Sequence, residues 1–143
     1  MTVTDLATTD VVTASTDTDL PEVVGMMDDH DVGCVVITDD EKPTGIVTDR
    51  MVAMACREMD SMDERTAGDV MTDDPVTIDG DHTHVDALRM MSEEGIRRLP
   101  ITDDGRLTGI ITLDDLLVMT ASELSFASDV IERQTPASAD MDD

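Results

Sequence analysis

Two adjacent arginines, Arg97 and Arg98, stand in a chain of 143 residues with 34 acidic side chains and only nine basic ones. Against that background a guanidinium pair suggests a local anion site, because each offers a rigid fork of donors that fits a phosphate or carboxylate. The plainer reading is solvated charge: side chains alternate along a strand, so one of the two should face outward. A second constellation is Thr112-Leu-Asp-Asp115, a hydroxyl with a carboxylate three residues on. That spacing fits a helix capping box. His82 and His84 lie two apart beside Asp81 and Asp86. They open a predicted helix, so they diverge and read as structural rather than as metal ligands. No nucleophile elbow, phosphate-binding glycine loop or dinucleotide glycine pattern occurs. Asp39-Asp40 and Asp103-Asp104 read as turn residues, not as an acid–base pair. The chain is therefore expected to be non-enzymatic.

Charge narrows the classes further. The formal balance of −25 leaves no basic patch, and Phe126 is the sole aromatic residue. Nucleic-acid binding is excluded on both grounds. No apolar run approaches the length of a membrane span, and the start Met1-Thr-Val-Thr-Asp5 does not resemble a secretion signal. A cytoplasmic protein with no membrane partner is expected. Cys34 and Cys56 are too few and too separated for a zinc ribbon or a disulfide framework, and read as small buried hydrophobes. Most of the 12 methionines fall at apolar helix positions and read as core; Met51, Met54 and Met59 could instead line a helix contact between chains. Forty per cent of the residues are hydrophobic and regularly patterned, which argues against disorder. The acids are spread along the chain, as on a folded surface adapted to concentrated salt. At about 1 M salt the screening length falls to roughly 3 Å and self-repulsion fades.

The elements that must position these residues come in duplicate. A shift of 64 residues lays the chain on itself, with 16 of 46 positions from Asp5 to Arg50 identical without a gap. Ile37-Thr-Asp-Asp40 falls on Ile101-Thr-Asp-Asp104, and Thr44-Gly-Ile46 on Thr108-Gly-Ile110. In the second copy Pro75–Ile78 reads as a strand and His82–Glu94 as a helix, with Val85, Leu88 and Met91 at helical spacing and Gly95 as its stop. Ile96–Thr102 and Leu107–Ile111 read as a hairpin around Asp103-Asp104-Gly105. Thr112 opens a second helix. The fold class is α/β: two strand–helix–strand–strand–helix repeats, residues 1–64 and 65–133, packed about a pseudo-twofold axis that buries the apolar face of each small sheet. Residues 57–74 read as a helix end plus connector, and 134–143 as a disordered acidic tail.

The ordered set Thr66-Ala-Gly-Asp-Val-Met-Thr72, Pro75-Val-Thr-Ile78, Gly95-Ile-Arg-Arg-Leu-Pro-Ile101 and Gly109-Ile-Ile-Thr-Leu-Asp-Asp115 resembles the CBS domain, and the first repeat resembles it as well. The resemblance spans residues 1 to about 120 and implies a tandem pair whose clefts bind adenosine-containing ligands: AMP, ADP, ATP or S-adenosylmethionine. It also implies dimerisation into a flat disc. In that family the pattern Gly-apolar-apolar-Thr/Ser-x-x-Asp marks a competent cleft. Here Gly109, Ile110, Ile111, Thr112 and Asp115 match it. The resemblance assigns Asp115 to the ribose hydroxyls and Thr112 to the phosphate. It places Arg98, before Leu99-Pro100, at a phosphate-contacting position and the strand around Thr77 and Ile78 against adenine. The chemistry agrees: one carboxylate can accept from two vicinal hydroxyls, and a helix start favours a phosphate.

The first repeat departs from the pattern. Met51 stands where the acid should be, and Gly33-Cys34 replaces Arg97-Arg98. A cleft built there would lack both ribose carboxylate and phosphate base, so at most one good nucleotide cleft is expected. The expectation is a stand-alone regulatory module, requiring no cofactor, that senses an adenine nucleotide, forms a homodimer and passes the signal to a separate effector protein. The alternative is a dimerisation or interaction module whose clefts have decayed.

Overall fold

The computed structural model describes residues 1–58 and 61–134. The tail expected from 134 onward lies, beyond Gln134, outside the described residues. The architecture is mixed α/β with two sheets. In chain order the elements are α1 (Val3–Leu6), β1 (Thr13–Ala14), α2 (Leu20–His30), β2 (Cys34–Asp39), β3 (Lys42–Thr48) and α3 (Asp49–Ala55). Then come a 3-10 turn (Met62–Glu64), α4 (Ala67–Val70), β4 (Thr72–Asp73), β5 (Ile78–Asp79), α5 (His84–Glu94), β6 (Arg98–Asp103), β7 (Arg106–Thr112) and α6 (Leu113–Arg133).

Local chemistry explains these boundaries. Thr83 caps α5, its hydroxyl accepting from Asp86 N–H while the Asp86 carboxylate accepts from Thr83 N–H. Those bonds, with His82 at 3.3 Å, hold Asp86 below the usual carboxylate range. Gly95 ends the helix with φ +67, a left-handed conformation glycine adopts without strain. Asp104 and Gly105 both have positive φ, as the tight hairpin turn between β6 and β7 requires. The two hairpins match down to a register shift after Ile37 and after Ile101.

The 57–74 stretch is more than a connector: it contributes α4 and β4. Ala67, Val70 and Met71 pack into the core formed by Leu20, Val23, Met27, Val35, Ile37 and Val47. β4 pairs with β3 through Ile46↔Thr72. Reciprocally, Val3, Leu6 and Ala7 join the core of Ile78, Ala87, Met91, Leu99, Ile101, Ile111 and Leu116. Thr8 exchanges both backbone hydrogen bonds with Ile110 at 3.0 Å. Each core is thus closed by a short helix from the other repeat, and each outer hairpin strand by its extended segment. Gly109 permits this: a Cβ there would sit 3.1 Å from the Thr8 carbonyl oxygen and from the Ala7 Cβ.

Candidate functional site

Strand alternation sorts the side chains of the second hairpin. Arg98 pairs with Thr112, Leu99 with Ile111 and Pro100 with Ile110. Leu99 and Ile111 belong to the hydrophobic core, so Arg98, Pro100, Ile110 and Thr112 take the opposite face, toward the other repeat. Arg98, Ile110 and Thr112 line a recess of about 220 Å³ there, with Thr8, Asp10, Val11 and Val12 before β1 and Val32, Gly33 and Cys34 leading into β2. A shallow extension of about 50 Å³ runs over Arg97, Arg98, Thr112, Leu113 and Asp114.

The capping box at Thr112 is closed. Thr112 N–H donates to Asp115 Oδ2 at 3.0 Å, and Asp115 N–H donates to Thr112 Oγ1 at 3.2 Å. Leu113 N–H donates to the Arg97 carbonyl at 2.8 Å, which ties the start of α6 to the lead-in of β6. Pro100 is fully buried. Ile111 and Ile78 face the core instead of the recess, and are 0% and 2% exposed. Thr77 is half-buried just before β5. The strand segment that borders the Thr112 recess comes from the first repeat, because the pseudo-twofold exchange lays Thr8–Val12 across Ile110.

The larger opening lies on the Thr48 side. This groove of about 860 Å³ is lined by Arg50, Arg57, Arg97 and Arg98, by Asp49, Glu58 and Asp69, and by Thr48, Met51, Met54, Ala55 and Val70. Four of the chain's nine basic residues meet three acids here, whereas the whole chain carries −25. The sequence has Gly33-Cys34 on this side where the second repeat has its arginine pair; in the structure Arg97 and Arg98 line this groove too, because residue 33 lies beside Arg98 and both arginines reach over from the second repeat. A Cβ on Gly33 would sit 3.6 Å from Arg98 Nη2 and 3.0 Å from Asp49 Oδ2, so the glycine leaves the room the guanidinium occupies. The repeat held part of the signal: equivalent positions meet across a twofold axis only where they lie close to it, and the structure places Gly33-Cys34 and Arg97-Arg98 there.

Arg98 borders the groove, the recess and its shallow extension, and none of the ion pairs of the described residues involves it. Burial pushes the Cys34 thiol up to about 11, with the Arg98 charge opposing and Asp49 adding to the rise. Met51 leaves the Thr48 cap without a reciprocal acid; its sulfur takes the Thr72 hydroxyl at 3.7 Å. His82 and His84 diverge, His84 toward the Met1 carbonyl. Among the described residues no group of three or more His, Cys, Asp or Glu converges to hold a metal, and no helix is long and apolar enough to cross a membrane.

Comparison with known proteins gives the same outline. Residues 3–58 and 67–121 each match the model of the CBS domain. An uncharacterized protein of Methanopyrus kandleri is 37% identical over 116 residues, which cover 79% of this chain and 59% of that protein. The CBS domain-containing protein YhcV of Bacillus subtilis is 32% identical over 124 residues, covering 87% of this chain and 89% of YhcV. Among solved structures, CBSX2 in complex with AMP superposes with a TM-score of 0.74 at 25% identity, covering 87% of this chain and 98% of that one.

Proposed function

The chain belongs to the CBS domain family, and from that premise we propose that it is a regulatory module that binds an adenine nucleotide at the junction around Arg98. The observation that carries this reading is the convergence of Arg50, Arg57, Arg97 and Arg98 on one groove of a chain with net charge −25. A binding site is the economical account of so local a reversal of sign. The AMP seen in CBSX2 supports the ligand class.

In this reading the nucleoside occupies the Thr112 recess. Asp115 Oδ2 is held by the Thr112 N–H, which leaves Oδ1 as the acceptor for the ribose hydroxyls in this reading. The phosphates pass Arg98 and enter the arginine groove, where charge-assisted hydrogen bonds are strongest. Affinity then rises from AMP to ATP, and S-adenosylmethionine, with a sulfonium and no phosphate, binds weakest. The module works by binding alone. Ligand joins side chains of both repeats, and the resulting shift in their packing passes to an effector protein with a coupling of about 1–3 kcal/mol. Met51 in place of an acid favours the second reading, an interaction module without ligand.

A thermal-shift titration in about 2–3 M KCl, with AMP, ADP, ATP and S-adenosylmethionine, separates the two. Ligand at a hundred times its Kd adds about 2.7 kcal/mol, or several degrees of Tm. The expected result is a shift that grows with phosphate number and is lost in Arg98→Ala. A cooperative melt that no ligand moves sinks the nucleotide reading and leaves the interaction module.

A further inference from the structure

The two hairpins share a bulge, but its consequence differs between them. Ile37 pairs with Gly45 and Thr38 with Pro43; Ile101 pairs with Gly109 and Thr102 with Leu107. Thr44 and Thr108 are the extra residues, and their hydroxyls donate to the Ile37 and Ile101 carbonyls at 3.2 and 3.3 Å. A bulge re-aims the backbone beside it, out of the ladder. In the second repeat the outward group is the Leu107 N–H, which donates to the Glu41 carbonyl of the first repeat at 2.8 Å. In the first repeat the equivalent residue is Pro43, which has no N–H to give. The reciprocal bond, to the Gly105 carbonyl, therefore cannot form.

Glu41 adopts a costly conformation to make this contact. It stands where the second hairpin has Gly105, yet its φ is +67, a region that penalises a residue with a Cβ. Its carboxylate accepts from Arg106 Nη1 at 3.2 Å. Both side chains are exposed, so the ion pair orients the hairpin tip more than it holds it. The backbone bond is neutral, and salt does not screen it.

The neighbouring segments differ in the same sense. Along β3, Thr72 and Asp73 pair with Ile46 and Gly45, Asp74 N–H donates to the Thr44 carbonyl at 3.3 Å, and the rigid Pro75 follows. Along β7 the counterpart is the isolated bridge of Thr8 with Ile110. The chain then rejoins its own sheet at Val12, whose carbonyl accepts from Val36 N–H. Thr9, Asp10 and Val11 cross between the sheets as a strap. Beside the strap lies a recess of about 250 Å³, bounded also by Glu41 and Leu107. Asp10 and Val11 line the Thr112 recess as well.

We propose that Glu41 and Leu107 form a one-sided latch between the repeats, and that its opening frees the strap Thr9–Val11. Closed, the latch fixes the strap as the common wall of the two recesses. Open, it lets β7 part from the strap while β3 stays bound to β4, so the repeats hinge along β3. Any effect on a ligand in the Thr112 recess rests on the nucleotide reading; the latch itself does not.

Amide exchange by NMR in about 2 M KCl, on the full ligand-free chain, tests the latch. In the wild type the Leu107 amide exchanges at least about tenfold more slowly than in an unfolded chain. Leu107→Pro removes the donor and keeps a backbone that Pro43 already adopts at the equivalent place. It speeds exchange at Thr8 and Ile110 at least about tenfold and leaves Asp74 within about twofold of its wild-type rate. An unchanged circular dichroism spectrum shows that the fold survives. An unprotected Leu107 amide in the wild type, which needs no variant, overturns the proposal. So does Leu107→Pro with Thr8 and Ile110 unchanged, or with Asp74 accelerated equally. No nucleotide enters this readout, so failure of the latch and failure of the nucleotide reading are distinguishable.

Discussion

Arg98 sits opposite Cys34 under the repeat symmetry, and the difference between those two residues organises the site. A guanidinium on both sides of the axis would repel itself, and a thiol on both would leave no anion anchor. The thiol is the burial-sensitive partner. Its pKa is raised to about 11 by desolvation, against 9.0 for the free group. About two pH units correspond to a hundredfold smaller thiolate fraction at neutral pH, and only the thiolate alkylates. Cys56, which the sequence suggests is buried, is instead exposed just past the end of α3. Iodoacetamide at pH 8 should therefore modify exposed Cys56 at least about tenfold faster than Cys34, read by peptide mass spectrometry. Equal rates would mean that Cys34 is open to solvent and that the recess is wider than described.

At the scale of elements, the short helices α1 and α4 matter more than their four residues suggest. Each is pinned by an aspartate whose carboxylate accepts from the N–H and the hydroxyl of the capping threonine, Asp5 from Thr2 and Asp69 from Thr66. Each inserts a fully buried side chain, Val3 or Ala67, into the other repeat's core. Val3→Ala removes two methyl groups from that core and should cost about 1–3 kcal/mol, transfer and cavity together. The cost should appear as faster amide exchange in α5 and β6, far along the chain from the mutation, and not in α2. Faster exchange confined to residues 1–8 would show that the exchanged segment docks without stabilising the second core.

For the whole molecule, 34 acids against nine bases on one small surface oppose compaction wherever screening is weak. The described residues hold only three ion pairs, all exposed: His82 to Asp86, Arg89 to Asp86 and Arg106 to Glu41. Local pairing therefore does little to offset the global charge. The melting temperature should climb by at least about 10 °C between 0.1 M and 2 M KCl, as the screening length falls from roughly 10 Å toward 3 Å. Sucrose at equal osmolality strengthens burial without screening. A melt as responsive to sucrose as to KCl would place the stabilisation in hydration instead of charge.

Much of this was legible along the chain. The 64-residue duplication shows in residue identities when the chain is laid on itself. The hairpin turn at Asp104-Gly105, the Gly95 helix stop and the Thr112–Asp115 cap follow from spacing and residue type, because each is settled by neighbours within a few positions. The mixed α/β class followed from the same patterns. The composition of the site did not. Residues 57–74 looked like a connector because α4 and β4 are too short to show a period, and their apolar residues make sense only against a core 20–50 residues away. The family resemblance places Arg98 in one cleft, whereas in the structure it borders both the recess and the groove, and Arg97 reaches the groove on the Thr48 side. A linear reading attaches each side chain to its own repeat. Which repeat closes which cleft is decided by the pseudo-twofold packing, where burial of two apolar sheet faces selects one arrangement of the whole chain.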